Sequence, residues 1–159
     1  MNTDTKAIEE TVARLLGTIP PGVILVAASK TRTPEEVAAA IRAGVPIIGY
    51  NYVQEAQRMK RSLGDVADQA RWHMIGHLQR NKVKVALQLF NMVETLDSWR
   101  LAQAIERRSS AIGKVMPVLV EINSGREARK TGVLPEEVDD LVQRVSDLPH
   151  LRVQGLMTM

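Results

Sequence analysis

The stretch VILVAAS, residues 23–29, is followed by Lys30 and then by Thr31-Arg32-Thr33-Pro34. An unbroken apolar run rich in β-branched residues predicts a fully buried strand of a parallel sheet. Thr33 and Pro34 predict the start of a helix, with Thr33 as its cap and Glu36 closing a capping box. The sequence therefore places Lys30 at the carboxyl end of a strand, the edge where parallel α/β folds bind ligands.

Lys30 carries a side chain suited to chemistry on a carbonyl group. A lysine amine is compact and burial changes its protonation readily, so such a residue can form a Schiff base with an aldehyde. The alternative is a surface lysine that marks the end of the strand and reaches into water. This single position leaves both interpretations open.

Five more strand-like segments follow the first, each separated from the next by a helix-like segment. Repeated βα units predict an α/β fold with a parallel sheet. Six strands fit either an open doubly wound sheet or six-eighths of a (β/α)8 barrel, and periodicity alone does not choose between them. The later strands are predicted at 46–49, 72–75, 91–95, 115–122 and 151–157, and the helices at 5–16, 34–43, 51–63, 79–89, 98–112 and from 135 onward.

Composition limits the classes of function. The 159 residues fit one domain, and 21 basic residues nearly balance 18 acidic ones, while aromatic residues make up only 3%. This gives little support for nucleic-acid binding, which uses basic grooves and stacking rings. No segment approaches the roughly 18 apolar residues of a membrane span, and residues 1–16 lack the apolar core of a signal peptide. The sequence has no cysteine, which fits a reducing compartment. Together these features lead us to expect a cytoplasmic protein that binds neither nucleic acid nor membrane.

Polar residues follow the predicted strands: Asn51, His77, Asp97 and Asn123 come after strands two to five. Asn51 has a second interpretation as a helix cap, and His77 as a polar contact at a helix entry. His73, within strand three, is interpreted as a core residue. Three histidines without metal-ligand spacing do not predict a metal site.

The loop at 123–127, NSGRE, could cradle an anion, but it matches neither a dinucleotide fingerprint nor a P-loop. Its default interpretation is a mobile surface loop, with residues 126–130 as a solvated rim.

Five ordered motifs resemble the pyridoxal phosphate homeostasis protein family, also called the YggS or PROSC family, which is similar to the alanine racemase N-terminal domain. AASKT at 27–31 resembles the strand that carries the family's Schiff-base lysine. GYNYVQEA at 49–56 resembles a GENRVQE motif, and WHMIGHLQRNK at 72–82 resembles WHFIGxLQxNK. INSGREARKTG at 122–132 resembles VNxxxExxKxG, and GLMTM at 155–159 resembles a GLM segment.

The resemblance implies an alanine-racemase-type TIM (β/α)8 barrel over residues 1–159, a single domain with about six βα units. It implies pyridoxal 5'-phosphate held as an internal aldimine on Lys30, with Asn51 against the ring. Ile75, His77 and Met157 are the other cofactor-binding residues that it implies. Family members act as carriers or regulators of the cofactor pool without strong turnover, so no catalytic residue is predicted.

Two departures from the family pattern stand out. Tyr50 and Tyr52 replace an acidic and a basic residue of the motif, so an ion pair between those positions is lost. Both tyrosines are predicted in the second βα loop. The chain also ends at Met159, before the segments that hold the cofactor phosphate in the family. We therefore expect an incomplete chain that binds pyridoxal phosphate weakly and exposes two unpaired strand edges, which favour self-association.

Three rival functions stay open. A racemase-type enzyme needs a second acid or base opposite the cofactor, and the sequence offers no evident partner for that role. A cofactor-free Schiff-base lyase needs a desolvated lysine and a proton shuttle. In an interaction module, Lys30 would be merely structural.

Overall fold

The computed structural model of the protein describes residues 5–159. Residues 1–4, part of the predicted domain and of the amino-terminal stretch, lie outside the described residues. Strands and helices alternate, and short 3-10 helices cover Gly64–Gln69, Arg80–Lys82 and Pro135–Glu137. The strands are β1 (Val26–Ala28), β2 (Ile47–Tyr50), β3 (Arg71–Met74), β4 (Met92–Leu96), β5 (Met116–Glu121) and β6 (Leu151–Met157). The helices are α1 (Thr5–Thr18), α2 (Pro34–Arg42), α3 (Val53–Leu63), α4 (Val83–Leu89), α5 (Trp99–Ala111) and α6 (Val138–Ser146).

The strand order decides between the two architectures that the sequence leaves open. The sheet runs β1-β2-β3-β4-β5-β6, and its defined strand registers are parallel. Strands that follow one another in the chain are therefore neighbours in the sheet. This is the order of a (β/α)8 barrel, whereas a doubly wound sheet reverses direction at a switch point. The prediction of an α/β fold with barrel topology is confirmed.

The described residues fall into two compact units. The first contains the chain up to residue 50 together with 54–72, and the second contains 51–53 together with 73–159. None of the helices in residues 5–159 has both the length and the apolar character needed to cross a bilayer.

The first unit is built on the pairing of β1 with β2, in which Val26 lies opposite Ile47. Helix α1 packs on α2. At the end of β2, Tyr50 stacks on Trp72 with ring centroids 5.7 Å apart, and the Lys60 ammonium lies 5.3 Å from the Trp72 ring centroid. The predicted capping box of α2 is confirmed, because the Thr33 N–H donates to Glu36 Oε2 at 2.7 Å and the Glu36 N–H donates to Thr33 Oγ1 at 3.3 Å.

The expectation of a fully buried first strand is wrong. Only residues 26–28 form β1, and Val23 and Ile24 are 58% and 64% exposed. The Val23 N–H donates to the Pro20 carbonyl, so this part of the run belongs to a turn. The physical reason is that β1 stands at one end of the strand order and has a single neighbour, so an apolar sequence there is not enclosed on both sides.

Tyr50 is also corrected. It is the last residue of β2 rather than a loop residue, and it is 2% exposed. Burial of its ring raises the pKa of the Tyr50 hydroxyl to about 12, with the Glu55 charge as a further cause. Tyr52 is exposed, as expected for a loop residue.

The second unit contains the ladder of β3 to β6, in which His73 lies opposite Met92 and Glu121 lies opposite Met157. Several side chains of β4 and β5 are fully buried, including Val93 and Val118. The register shifts between Val93 and Leu96. Helices α4, α5 and α6 pack in sequence, and α6 contacts β6.

Two helix predictions in the second unit need correction. The segment at 79–89 begins as the 3-10 turn Arg80–Lys82 before α4 starts at Val83. Ile112, the last residue of the predicted helix 98–112, lies past the end of α5 and is 57% exposed. In the same way Leu15 of α1, in the first unit, is 43% exposed although its spacing suits the apolar face.

Candidate functional site

Lys30 lies where β1 turns toward α2. The Ser29 N–H donates to the Gly49 carbonyl at 3.0 Å, which extends the β1–β2 ladder to the residue before the lysine. Thr31 then adopts a left-handed conformation with φ of 64°, and this ends the strand. Lys30 follows the buried Ser29, in the turn that leaves β1. Lys30 is exposed, so its amine is accessible rather than desolvated.

Asn51 lies directly against Gly76, which follows β3. A Cβ on Gly76 would lie 2.6 Å from both the Asn51 Cα and the Asn51 carbonyl oxygen, so only glycine permits this approach. Helix α3 begins at Val53, which places Tyr52 rather than Asn51 directly before it. The cap interpretation of Asn51 is therefore not supported. Asn51 is half-buried, which leaves part of it accessible to a ligand.

His77 is oriented by a carboxylate. Its Nδ1 lies 2.7 Å from Asp97 Oδ2, and Ser98 Oγ donates to Asp97 Oδ1 at 3.0 Å. Ser98 also accepts from the Leu101 N–H as the cap of α5, so the start of α5 fixes this pair. When Asp97 accepts from Nδ1–H, Nε2 becomes the free ring acceptor. The His77 side chain is 51% exposed, and a ligand can therefore reach it.

Glu121, which the sequence reasoning missed, is a buried carboxyl at the end of β5. It is 5% exposed, its Oε1 accepts from Thr131 Oγ1 at 2.9 Å, and its Oε2 has no hydrogen-bond partner among the described residues. Burial raises the pKa of this carboxyl, with the Asp97 charge adding to the effect, while the Thr131 hydrogen bond and His77 oppose it. The available signal was a glutamate closing the apolar run VLV at 118–120.

Ile75 and Met157 supply apolar surface in the second unit. Ile75 follows β3 directly, and Met157 is the last residue of β6, opposite Glu121. The Ile122 N–H donates to the Met157 carbonyl at 2.8 Å, which fixes the end of β6. Both side chains are half-buried. Such partly covered apolar groups suit contact with a planar ring.

The loop after β5 is organised by Asn123. Its Nδ2 donates to the Glu127 carbonyl at 2.9 Å, and its Oδ1 accepts from the Glu127 N–H at 3.0 Å. The rim interpretation of 126–130 agrees with the exposure of these residues. Arg126 pairs with both oxygens of Glu136 at 2.8 Å, so its guanidinium is already occupied. The loop has no open anion cradle at this arginine.

His73 is a core residue with one partner. It is 4% exposed, and its Nδ1 lies 2.6 Å from Glu94 Oε1, whereas Nε2 is without a partner among the described residues. The core interpretation is supported, although the ring is only half satisfied. Within residues 5–159, no group of three or more histidine, aspartate or glutamate side chains is placed to hold a metal ion.

The family model of the alanine racemase N-terminal domain matches residues 3–159, nearly the whole sequence. The chain belongs to the alanine racemase N-terminal domain family. A pyridoxal phosphate homeostasis protein of Pasteurella multocida is 36% identical over 137 residues, which is 86% of this chain and 59% of that protein. The chain thus spans about three-fifths of the length of this curated relative.

Solved structures agree with the family membership. PipY of Synechococcus elongatus, in a structure with pyridoxal phosphate bound, is 30% identical with a TM-score of 0.86, covering 96% of this chain and 70% of PipY. An alanine racemase of Clostridium difficile is 13% identical with a TM-score of 0.76, covering 98% of this chain and 42% of the racemase. The second likeness shows the fold alone. The predicted resemblance is confirmed.

Proposed function

We propose that this chain binds pyridoxal 5'-phosphate covalently on Lys30 and serves intracellular pyridoxal phosphate homeostasis as a carrier or regulator in the cytoplasm. The observation that carries the proposal is the accessible Lys30 amine at the carboxyl end of β1, in a family whose member PipY has this cofactor bound. When bound, pyridoxal phosphate supplies an aldehyde for Schiff-base chemistry and an electron-withdrawing ring.

The residues of the chain fit the chemical parts of this cofactor. An aldehyde needs an unblocked amine, and Lys30 makes no hydrogen bond or ion pair with the other described residues. Asn51 offers a side-chain amide. Because residue 76 is a glycine, no side chain at that position displaces Asn51. Half-buried Ile75 and Met157 offer apolar contact. We assign these residues and His77 to the cofactor site.

The test is a search for the covalent adduct. Pyridoxal phosphate is added, the visible spectrum is recorded, the protein is reduced with borohydride, and the modified residue is located by mass spectrometry. We expect the adduct on Lys30 and its loss in Lys30→Ala. Lys84→Ala, at an exposed lysine of α4, is the matched control and should keep the adduct. Modification of other lysines with Lys30 untouched would overturn the assignment.

A second candidate function, racemase-type proton transfer, is favoured by one specific observation. The His77–Asp97 pair is an imidazole oriented by a carboxylate, which is the arrangement of a general base. The sequence reasoning had found no such partner. The check is exchange of the α-proton of L-alanine in D2O with pyridoxal phosphate present. Exchange faster than with free cofactor, and lost in His77→Gln, would favour the enzyme; equal rates would favour the carrier.

We also propose that the chain associates with itself through its end strands. β1 and β6 each have one neighbour in the strand order. Leu156 of β6 exposes 55% of its surface, and Ile24, just before β1, exposes 64%. Unpaired strand edges with apolar side chains favour pairing with another chain. Light scattering coupled to size exclusion should show a concentration-dependent mass that Leu156→Lys reduces. A constant monomer mass would contradict this proposal.

A further inference from the structure

A pocket of about 280 Å³ lies in the first unit between the β1–α2 turn and helix α3. Its polar lining comes from Ser29, Thr31, Arg32, Tyr50, Arg58 and Ser62. The ladder places Ala28 opposite Gly49, so the next residues, Ser29 and Tyr50, lie side by side at the strand ends. Lys30 does not line the pocket.

Tyr50 lines this pocket and carries a buried hydroxyl. The residue is 2% exposed, its hydroxyl has no hydrogen-bond partner among the described residues, and its ring is fixed against Trp72. Burial raises the pKa of the hydroxyl to about 12, so it keeps its proton at physiological pH. Leaving such a donor unpaired costs free energy, and an acceptor in the pocket would recover it.

The charged groups of the pocket favour an anion. Arg58 makes no ion pair with any other described residue, and the only pair of Arg32 in the same part of the chain is an exposed one with Glu36 at 3.4 Å. Glu55 is the single carboxylate among the described lining residues. Arg58 is therefore the guanidinium of the lining that has no carboxylate partner among the described residues, and guanidinium and hydroxyl donors match the oxygens of phosphates and carboxylates.

The volume of the pocket favours a hydrated anion over a single bridging water molecule as its occupant. One water molecule takes about 30 Å³ of liquid volume, whereas the pocket holds about 280 Å³. A single water between Tyr50 and Glu55 would leave most of that space and the Arg58 guanidinium unused. A small oxyanion with its hydration shell fits the volume and the donors together.

We propose that this pocket binds a small oxyanion, a phosphate or a carboxylate, which accepts from the Tyr50 hydroxyl and pairs with Arg58, with Arg32 closing the site from the turn. The inference is independent of the proposed cofactor, because Lys30 does not line the pocket. It assigns a second binding function to the first unit.

The test is an NMR titration of the whole chain with inorganic phosphate and, separately, with acetate, at constant ionic strength. We expect saturable shifts of the Thr31 and Ser62 amides, with a millimolar or tighter dissociation constant. Saturation by phosphate alone identifies a phosphate ligand, and saturation by acetate alone a carboxylate. If neither anion saturates these amides, the proposal is wrong.

Matched variants locate the binding. Tyr50→Phe keeps the ring stack and removes only the hydroxyl, so it should weaken binding about threefold to tenfold. Arg58→Gln should weaken it about tenfold. Arg61→Gln removes the same charge from an exposed position of α3 outside the pocket and should change affinity less than about twofold. Equal effects of Arg58→Gln and Arg61→Gln, or an unchanged affinity in Tyr50→Phe, would show that only general electrostatic attraction acts.

Discussion

At the end of β1, Lys30 is exposed and makes no hydrogen bond or ion pair with other described residues. At the ends of β4 and β5, by contrast, Asp97 holds His77 and Ser98 while Thr131 holds Glu121. The two regions suit different chemical roles. A covalent attachment point requires an amine that can move to its target, whereas recognition and proton transfer require side chains fixed in advance. The molecule thus combines one loosely held amine with a polar cluster in its second unit that is fixed by hydrogen bonds.

The largest expected effect comes from a substitution at Gly76, in the more rigid of the two regions compared. Gly76→Ala would place a Cβ 2.6 Å from the Asn51 backbone, and a backbone contact cannot give way cheaply. We expect a loss of about 3 kcal/mol in the free energy of unfolding. Urea denaturation measures it. Gly17→Ala is the control, since nothing lies within 4 Å of that position in α1, and it should leave stability unchanged or raise it.

Asp97→Ala tests whether the polar cluster is held as tightly as its distances indicate. The change removes the acceptor of both His77 and Ser98, and we expect a loss of about 2 kcal/mol. The 15N shifts of the His77 ring should also lose their preference for one tautomer. Asp140→Ala, which removes an exposed i,i+4 pair with Arg144, should cost less than about 0.5 kcal/mol. Equal losses would show that Asp97 is an ordinary surface charge.

Glu121→Gln tests the buried carboxyl through pH. Because the pKa of Glu121 is raised by burial, the folded state binds more protons than the unfolded state between the unfolded and the folded pKa. Stability should therefore fall as pH rises through that range. The variant should lose this slope, match the parent at low pH and exceed it by about 1 kcal/mol at neutral pH.

Glu136→Gln should change the pH dependence of stability in the opposite direction to Glu121→Gln. The hydrogen bond from Arg126 lowers the pKa of Glu136, so the stability that it contributes is present above the unfolded pKa and lost as pH falls. The effect should be small because the pair is exposed. If both substitutions change the slope of stability against pH in the same direction relative to the parent, the contrast between the buried and the exposed carboxylate is wrong.

Sequence reasoning succeeded where a local signal has a local cause. The capping box at Thr33 and the alternation of strands and helices follow from neighbouring residues alone. It failed where the outcome depends on partners distant in sequence. The exposure of Val23 depends on β1 being an end strand, the burial of Tyr50 on its stack with Trp72, and the environment of Glu121 on Thr131. The assignment of Lys30 stays a prediction that rests on motif resemblance, because its strand-end position alone also fits a surface lysine.

The smallest expected effect concerns Tyr50, a residue of the first unit whose buried hydroxyl, unlike the groups of the polar cluster, has no hydrogen-bond partner among the described residues. Tyr50→Phe removes an unpaired hydroxyl and keeps the stack with Trp72, so it should raise the free energy of unfolding by about 0.5 kcal/mol in anion-free buffer. If phosphate or acetate fills the pocket, the same substitution should become unfavourable at saturating anion, because the parent alone gains the extra binding energy. Urea denaturation with and without the anion measures this change of sign. A destabilised variant in anion-free buffer would mean that the hydroxyl is already paired, and the pocket would then lose its distinctive donor.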